Sequence, residues 1–246
     1  MNLYNFIGNL YKNFLSPQTC LNCGDLWSGY ICPECLGKIK KIKGTICTYC
    51  GSPLPDDNLS HNLCSFCKDK HFNFYKLRSF GQYEGLLKKL IISFKYYKIY
   101  TISSELAGFF EEMFFDNFSG ENIDFIETVP DFTNEQESNY ISYEKTENNH
   151  MKILATELSE LIGIPFADNI IKLRKTFRQQ ALNQNERMFN LKNAFKARNP
   201  LLYYGKNILL IDDVITTGST LNEIAYAIKR CMADKIFILT LARVDA

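Results

Sequence analysis

Eight of the chain's cysteines form four Cys-x-x-Cys pairs, which constrain the fold of its N-terminal part more than any other feature. The pairs are Cys20/Cys23, Cys32/Cys35, Cys47/Cys50 and Cys64/Cys67. Each pair can direct two sulfurs at one metal, and four thiolates at this spacing suit a tetrahedral zinc ion. Sequential pairing closes the shorter chain loops and so costs less entropy than interleaved pairing. The sequence therefore predicts two zinc sites, the first built by Cys20, Cys23, Cys32 and Cys35 and the second by Cys47, Cys50, Cys64 and Cys67.

The predicted metal ions are structural. A module of about 70 residues buries little apolar surface, and metal ligation supplies the missing folding free energy. No histidine or carboxylate accompanies the pairs to leave an open coordination position, which a catalytic zinc needs. Iron–sulfur clusters are the alternative, because their ligands are also four cysteines. The ninth cysteine, Cys231, lies in an apolar helical pattern and receives no functional role.

The first twenty residues show helical spacing of apolar side chains, which predicts an amphipathic helix. Asn9, Lys12 and Asn13 interrupt the apolar run that a signal peptide requires. Cysteine-rich chains without a secretory signal favour a reducing compartment, where thiols serve metals more often than disulfides. We therefore expect a cytoplasmic protein without membrane insertion.

Beyond residue 70, the apolar pattern alternates between the strand period and the helix period. The predicted strands are 75–83, 123–129, 207–211 and 235–241, and the predicted helices are 84–96, 101–116, 150–162 and 219–232. Such alternation predicts an α/β fold with a mostly parallel, doubly wound sheet. We expect a zinc-binding module over residues 1–70 and an α/β domain over residues 71–246.

The segment ILLIDDVITTGST, residues 208–220, predicts a ligand site at the carboxyl end of a buried strand. Its candidate binding residues are Asp212, Asp213, Thr216, Thr217, Gly218, Ser219 and Thr220. Backbone N–H groups at the following helix N-terminus suit an anion, and two adjacent acids suit ribose hydroxyls or Mg²⁺. A ligand with phosphate, diol and metal satisfies every part of the segment. The alternative is that the hydroxyl groups only cap the helix.

This segment resembles the signature of type I phosphoribosyltransferases. Together with the cysteine pairs, Lys95-Tyr96, the run at 173–195 and the terminal LTLAR at 239–243, it is similar to the ComF/ComFC family of competence proteins. The resemblance implies a type I phosphoribosyltransferase-like fold that binds phosphoribosyl pyrophosphate (PRPP) with Mg²⁺. Asp212 and Asp213 would meet the ribose 2′ and 3′ hydroxyls, and Thr216 to Thr220 would hold the 5′-phosphate.

The resemblance also assigns residues around the pocket. It places Arg174, Arg178, Gln180 and Arg187 near a mobile hood and makes Lys95 a further candidate for contact with phosphate or DNA. A solvated basic face is the alternative for the arginine-rich run. Between residues 131 and 149, where the family carries several arginines, Lys145 is the only lysine or arginine. Such a segment is poorly suited to hold pyrophosphate, and the sequence identifies no catalytic residue.

The formal net charge of +1 conceals two basic ends around an acidic middle. Between residues 38 and 100, lysines interleave with aromatic residues, as in proteins that hold single-stranded DNA through phosphates and stacked bases. The resemblance implies handling of incoming single-stranded DNA in natural transformation, with a PRPP-binding pocket and a competence helicase as partner. The alternative is an active phosphoribosyltransferase acting on a nitrogen nucleophile.

Overall fold

The computed structural model describes residues 19–55, 62–68, 70–130, 149–174 and 191–244. The predicted N-terminal helix, together with Lys145, Arg178, Gln180 and Arg187, lies outside these ranges. Within them, no helix combines the length and the apolar character needed to cross a bilayer.

The core of the fold is a four-stranded parallel sheet. In chain order the strands are β1 (Lys76–Gln82), β2 (Phe125–Thr128), β3 (Ile170–Lys172), β4 (Phe195–Ala197), β5 (Ile208–Ile215) and β6 (Ile236–Arg243). The sheet order is β1-β6-β5-β2, and β3 pairs with β4 in a separate antiparallel sheet. Every residue of β6 is buried, as expected for a central strand covered on both faces.

Helices cover both faces of the parallel sheet, which confirms the predicted doubly wound α/β fold. The helices are α1 (Pro33–Leu36), α2 (Ser65–Lys68), α3 (Gly85–Lys95), α4 (Ser103–Phe118), α5 (His150–Ile162) and α6 (Ser219–Lys229), with 3₁₀ turns at Tyr100–Ile102 and Pro200–Tyr203. The apolar stripes of α3, α4 and α5 pack on one face. The stripe of α6 packs on the other face, together with β4 and Tyr203.

Local sequence sets the bounds of α5, which are the predicted ones. The Asn149 side chain caps the helix by accepting a hydrogen bond of 2.9 Å from Met151 N. Gly163 ends it with a left-handed φ of 71°, a conformation that glycine adopts without strain. The cap fixes His150 in the first turn of α5, at the carboxyl edge of the sheet.

The structure differs from the sequence prediction at the most informative strand. We predicted a strand at 207–211 followed by the acidic pair, but β5 continues to Ile215 because β6 pairs with it as far as Arg243. Asp212 and Asp213 therefore lie within β5 and not after it. The short β3–β4 pair was not predicted, since three residues per strand show no readable period.

The cysteine-rich segment packs directly on the edge strand of the sheet. Lys41 bridges Gly81 in antiparallel fashion, with Ile42 N donating to Phe80 O at 3.0 Å. A Cβ atom at Gly81 would lie 2.9 Å from Lys40 O, so this close approach requires glycine. Cys20, Cys32 and Cys35 belong to the same apolar cluster as Phe80 and Leu87. The domain boundary at residue 70 stays a prediction, but the two parts share a core.

Candidate functional site

The acidic pair of β5 places two carboxylates beside each other near the carboxyl end of the strand, both within reach of the charge of Lys95. Asp213 is 5% exposed, whereas Asp212 is half-buried. Asp212 Oδ1 accepts a hydrogen bond of 2.9 Å from Asp213 N. Asp213 Oδ1 accepts one of 2.7 Å from Val214 N. The backbone thus orients both carboxylates.

Two side chains from separate helices meet the carboxylate of Asp213. Lys95, at the end of α3, forms an ion pair through Nζ with Asp213 Oδ2. His150, in the first turn of α5, places Nε2 at 3.2 Å from the same oxygen. Burial opposes ionisation of Asp213, but His150 and Lys95 outweigh it and hold the pKa of Asp213 at about 2. Asp213 is therefore a fixed anion at neutral pH.

Asp212 has the opposite electrostatic character. Burial, followed by the negative charge of Asp213, raises the pKa of Asp212 well above its ordinary value. A ligand cation or hydroxyl donor beside Asp212 would favour the ionised form of this carboxyl. The ionised form would in turn bind that ligand more tightly than the neutral form does. The pair thus combines one fixed anion with one carboxyl that responds to a ligand.

The loop after β5 turns the chain into the N-terminus of α6. Gly218 is buried and takes a left-handed φ of 72°, and a Cβ there would lie 3.3 Å from Ile215 Cδ1. Thr217 Oγ1 and Ser219 Oγ lie 2.9 Å apart, while Thr216 is exposed. Hydroxyl groups and the partially positive end of α6 occur together here, an arrangement that suits an anion.

The structure brings some of the predicted site residues together and places others elsewhere. Lys95 lies on Asp213, inside the site. Arg174 is exposed and donates to Lys192 O at 3.0 Å beside the β3–β4 pair. His150 belongs to the site but was not among the predicted residues. Its position directly after a capping asparagine, at the start of the helix that follows β2, was the available signal.

A second buried acid, Glu127 of β2, was also missed by the sequence reasoning. It is 1% exposed and accepts hydrogen bonds from Asn169 N at 3.1 Å and from Tyr203 Oη at 2.5 Å. Asn169 Nδ2 in turn donates to Asn199 O at 2.9 Å. These bonds tie β2 to the segments around β3 and the second 3₁₀ turn. Burial is the main cause that raises the pKa of Glu127 to about 7.

Replacing Glu127 is expected to remove part of the pH dependence of the protein's stability. A carboxyl with a raised pKa in the folded state contributes its full stability below its unfolded pKa, near 4.5, and loses it as pH rises to about 7. The free energy of unfolding of the wild-type protein should fall by on the order of 3 kcal/mol between those pH values because of Glu127. Urea unfolding of the Glu127→Gln variant should not show this fall in the free energy of unfolding. Identical pH slopes in variant and wild type would contradict the raised pKa.

The first cysteine cluster has the geometry of a tetrahedral metal site. The sulfurs of Cys20, Cys23, Cys32 and Cys35 all lie within 4.8 Å of one another. The sulfurs of Cys23 and Cys32 are 3.7 Å apart, close to the ~3.8 Å edge of a tetrahedron with zinc–sulfur bonds of about 2.3 Å. Asn22 Nδ2 donates to Cys35 Sγ at 3.2 Å, and such N–H donors stabilise thiolate ligands.

The second cluster is similar in geometry and packs at a different place on the sheet. Cys47, Cys50, Cys64 and Cys67 again gather within 4.8 Å. The sulfurs of Cys50 and Cys64 lie 3.6 Å apart, which also fits a tetrahedral zinc ion. The sulfurs thus form the two sequential sets that the spacing predicts. Cys231 lies apart from both, with Sγ donating to Ala227 O at 3.4 Å.

The sheet, the anion-binding turn and the cysteine clusters define a protein with a phosphoribosyltransferase domain and zinc ribbons. Residues 151–246 match the phosphoribosyl transferase domain family, and residues 12–71 match the double zinc ribbon domain family. The zinc-ribbon match, together with the sulfur geometry, identifies the two clusters as structural zinc sites.

Several curated proteins resemble the chain over most of its length. It is 30% identical over 234 residues to Competence protein F of Haemophilus influenzae, covering 91% of this chain and 96% of that protein. It is 28% identical over 217 residues to DNA utilization protein YhgH of Escherichia coli, covering 87% and 90%. It is 28% identical over 211 residues to Competence protein ComFC of Bacillus subtilis, covering 83% and 78%. The chain therefore belongs to the ComF/ComFC family of competence proteins.

Proposed function

We propose that this protein handles incoming single-stranded DNA in natural transformation and binds PRPP, or a related ribose phosphate, at the carboxyl end of β5. The observation that carries the ligand proposal is the acidic pair followed directly by the glycine turn and the N-terminus of α6. The names of the relatives, which refer to competence and DNA utilization, support the DNA role over the transferase alternative.

In the proposed complex, each part of the site binds a different part of the ligand. The turn from Thr216 to Thr220 holds the 5′-phosphate, because backbone N–H groups at the start of α6 favour an anion. Asp212 and Asp213 accept hydrogen bonds from the ribose hydroxyls. Lys95 supplies positive charge beside Asp213, and His150 contacts the same carboxylate oxygen. Bound Mg²⁺ would neutralise the pyrophosphate oxygens.

The proposed DNA contact is the tyrosine loop, residues 96–99, which directly follows Lys95. Tyr96 and Tyr97 are 69% and 73% exposed, and Lys98 is also exposed. Exposed aromatic rings next to lysines suit stacked bases and backbone phosphates. Phe74 and Phe94 are buried, so the predicted aromatic set contributes fewer rings than its sequence pattern indicates. Lys88 and Lys89, exposed on α3, extend the basic surface beside this loop.

The cellular setting is part of the same proposal. We place the protein in the cytoplasm, where transported DNA arrives, with a competence helicase as partner. Both assignments rest on the family resemblance.

The tyrosine loop can be tested by substitution. Tyr96→Ala with Tyr97→Ala is expected to weaken binding of a fluorescent single-stranded oligonucleotide by about 10-fold or more, since stacking contributes about 1–3 kcal/mol per base. Tyr204→Ala is the matched control, because Tyr204 is 68% exposed but precedes the amino end of β5. Titrations at several salt concentrations should show affinity falling with salt. Salt-independent affinity, or equal losses in loop and control variants, would count against the proposal.

A further inference from the structure

Two buried arginines of the sheet face the second cysteine cluster. Arg78 of β1 and Arg243 of β6 are 8% and 7% exposed. Arg78 Nη2 donates to Thr48 O at 3.1 Å, and Arg243 Nη2 donates to Cys50 O. Both acceptors belong to the first Cys-x-x-Cys pair of that cluster. The two guanidinium groups therefore contact the metal-binding turn from neighbouring strands.

Neither arginine has an anionic side-chain partner in the described part of the chain, where every ion pair uses a lysine or His150. The buried Nε atoms of both arginines also lack a hydrogen-bond partner there. Carbonyl oxygens satisfy some N–H groups but do not neutralise the charge. A buried charge without a counter-charge is strongly destabilising. The observed arrangement thus requires a source of negative charge close by.

A zinc ion with four thiolates provides that charge. It carries two excess negative charges. Burial lowers the pKa of Arg78, and the nearby sulfurs of Cys47 and Cys50 oppose that shift. The two arginines match this excess in number and sign. At the first cluster, by contrast, neutral N–H groups of Asn22 and Cys32 approach the sulfurs, and Cys23 is exposed to water.

We propose that Arg78 and Arg243 are the counter-charges of the metal bound by Cys47, Cys50, Cys64 and Cys67, so that the sheet completes this metal centre. Packing supports the assignment, because a Cβ at Gly51 would lie 2.9 Å from Leu77 O, which leaves no room for a spacer between ribbon and strand. Arg243 also pairs in register with Ile215. The centre thus joins the ribbon to the strand end from which the anion-binding turn leaves.

The test measures zinc release from the purified chain to a colorimetric chelator. In Arg78→Met and in Arg243→Met, one of the two zinc ions should leave about 10–100-fold faster than in wild type. Losses of this size in metal affinity are typical when a residue that contacts the metal ligands is substituted. The other ion should leave at the wild-type rate. Arg198→Met is the matched control, because Arg198 is exposed and should show wild-type release of both ions. Wild-type release of both ions from both test variants would overturn the proposal.

Two further variants separate charge from packing. Arg78→Lys keeps the positive charge and should release zinc more slowly than Arg78→Met, whereas equal release would assign the effect to lost hydrogen bonds and overturn the proposal. In a Cys64→Ser background, the arginines should lack their counter-charge. Adding Arg78→Met should then cost less stability in thermal melts than it costs in wild type. An equal cost in the two backgrounds contradicts the proposal.

Discussion

Removal of either zinc ion is expected to lower the melting temperature of the whole protein by at least about 10 °C. Structural zinc contributes about 10–16 kcal/mol in zinc-finger peptides, comparable to the total stability of an ordinary domain. The loss should not stay confined to the ribbon, because Cys20, Cys32 and Cys35 pack in one cluster with Phe80 and Leu87. Cys32→Ser and Cys64→Ser each remove one site, and calorimetry with metal analysis measures both consequences.

The expected metal content is two zinc ions in wild type and one in each serine variant. Cys231→Ser is the matched control, because Cys231 lies outside both clusters, and it should retain two ions and nearly the wild-type melting temperature. Iron in place of zinc, or two ions retained after loss of Cys32 or Cys64, would contradict the assignment of the clusters.

Loss of the acidic pair is expected to abolish measurable PRPP binding. Asp212→Asn alone should weaken binding by about 10–100-fold, because a hydrogen bond to a charged group contributes about 1.5–3 kcal/mol. Asn keeps the bond from Asp213 N, so the fold should persist. Asp213→Asn also leaves Lys95 without its anion and should lower stability as well. Isothermal titration with Mg²⁺ present, together with thermal melts, separates the two effects.

The control for these variants is Asp234→Asn, at an exposed position before the amino end of β6. It removes a carboxylate at the opposite edge of the sheet and should bind PRPP like wild type. If Asp212→Asn with Asp213→Asn bound PRPP as well as this control does, the acidic pair would have no role in the site.

Local signals predict much of this fold. The stripe of Leu86, Leu87, Leu90, Ile91 and Phe94 predicts α3, and all five side chains are buried. The capping side chain of Asn149 and the left-handed Gly163 fit the two ends of α5. The cysteine spacing predicts the two sulfur sets because each pair is itself local. These features depend on residues a few positions apart, which is the range over which periodicity and capping act.

The arrangement around Asp213 could not be predicted in the same way. Lys95 and His150 come from distant segments and meet one oxygen atom only after α3 and α5 pack on the sheet. The extension of β5 to Ile215 depends on pairing with β6, because the acidic pair after Ile211 interrupts the apolar run that predicts a buried strand. Arg78 and Arg243 become notable only because the fold buries both against one cysteine cluster. Long-range packing decides each of these features.

The most direct test of the central claim is a titration of the wild-type, zinc-loaded protein with PRPP and Mg²⁺. The proposed site predicts saturable binding at one site per chain, reversed by ribose 5-phosphate as a competitor. The environment of the turn from Thr216 to Thr220 should change when PRPP binds, because this turn is the proposed 5′-phosphate contact. Absence of binding at millimolar PRPP, in protein that melts cooperatively and contains both zinc ions, would contradict the assignment of a ribose-phosphate site to the end of β5.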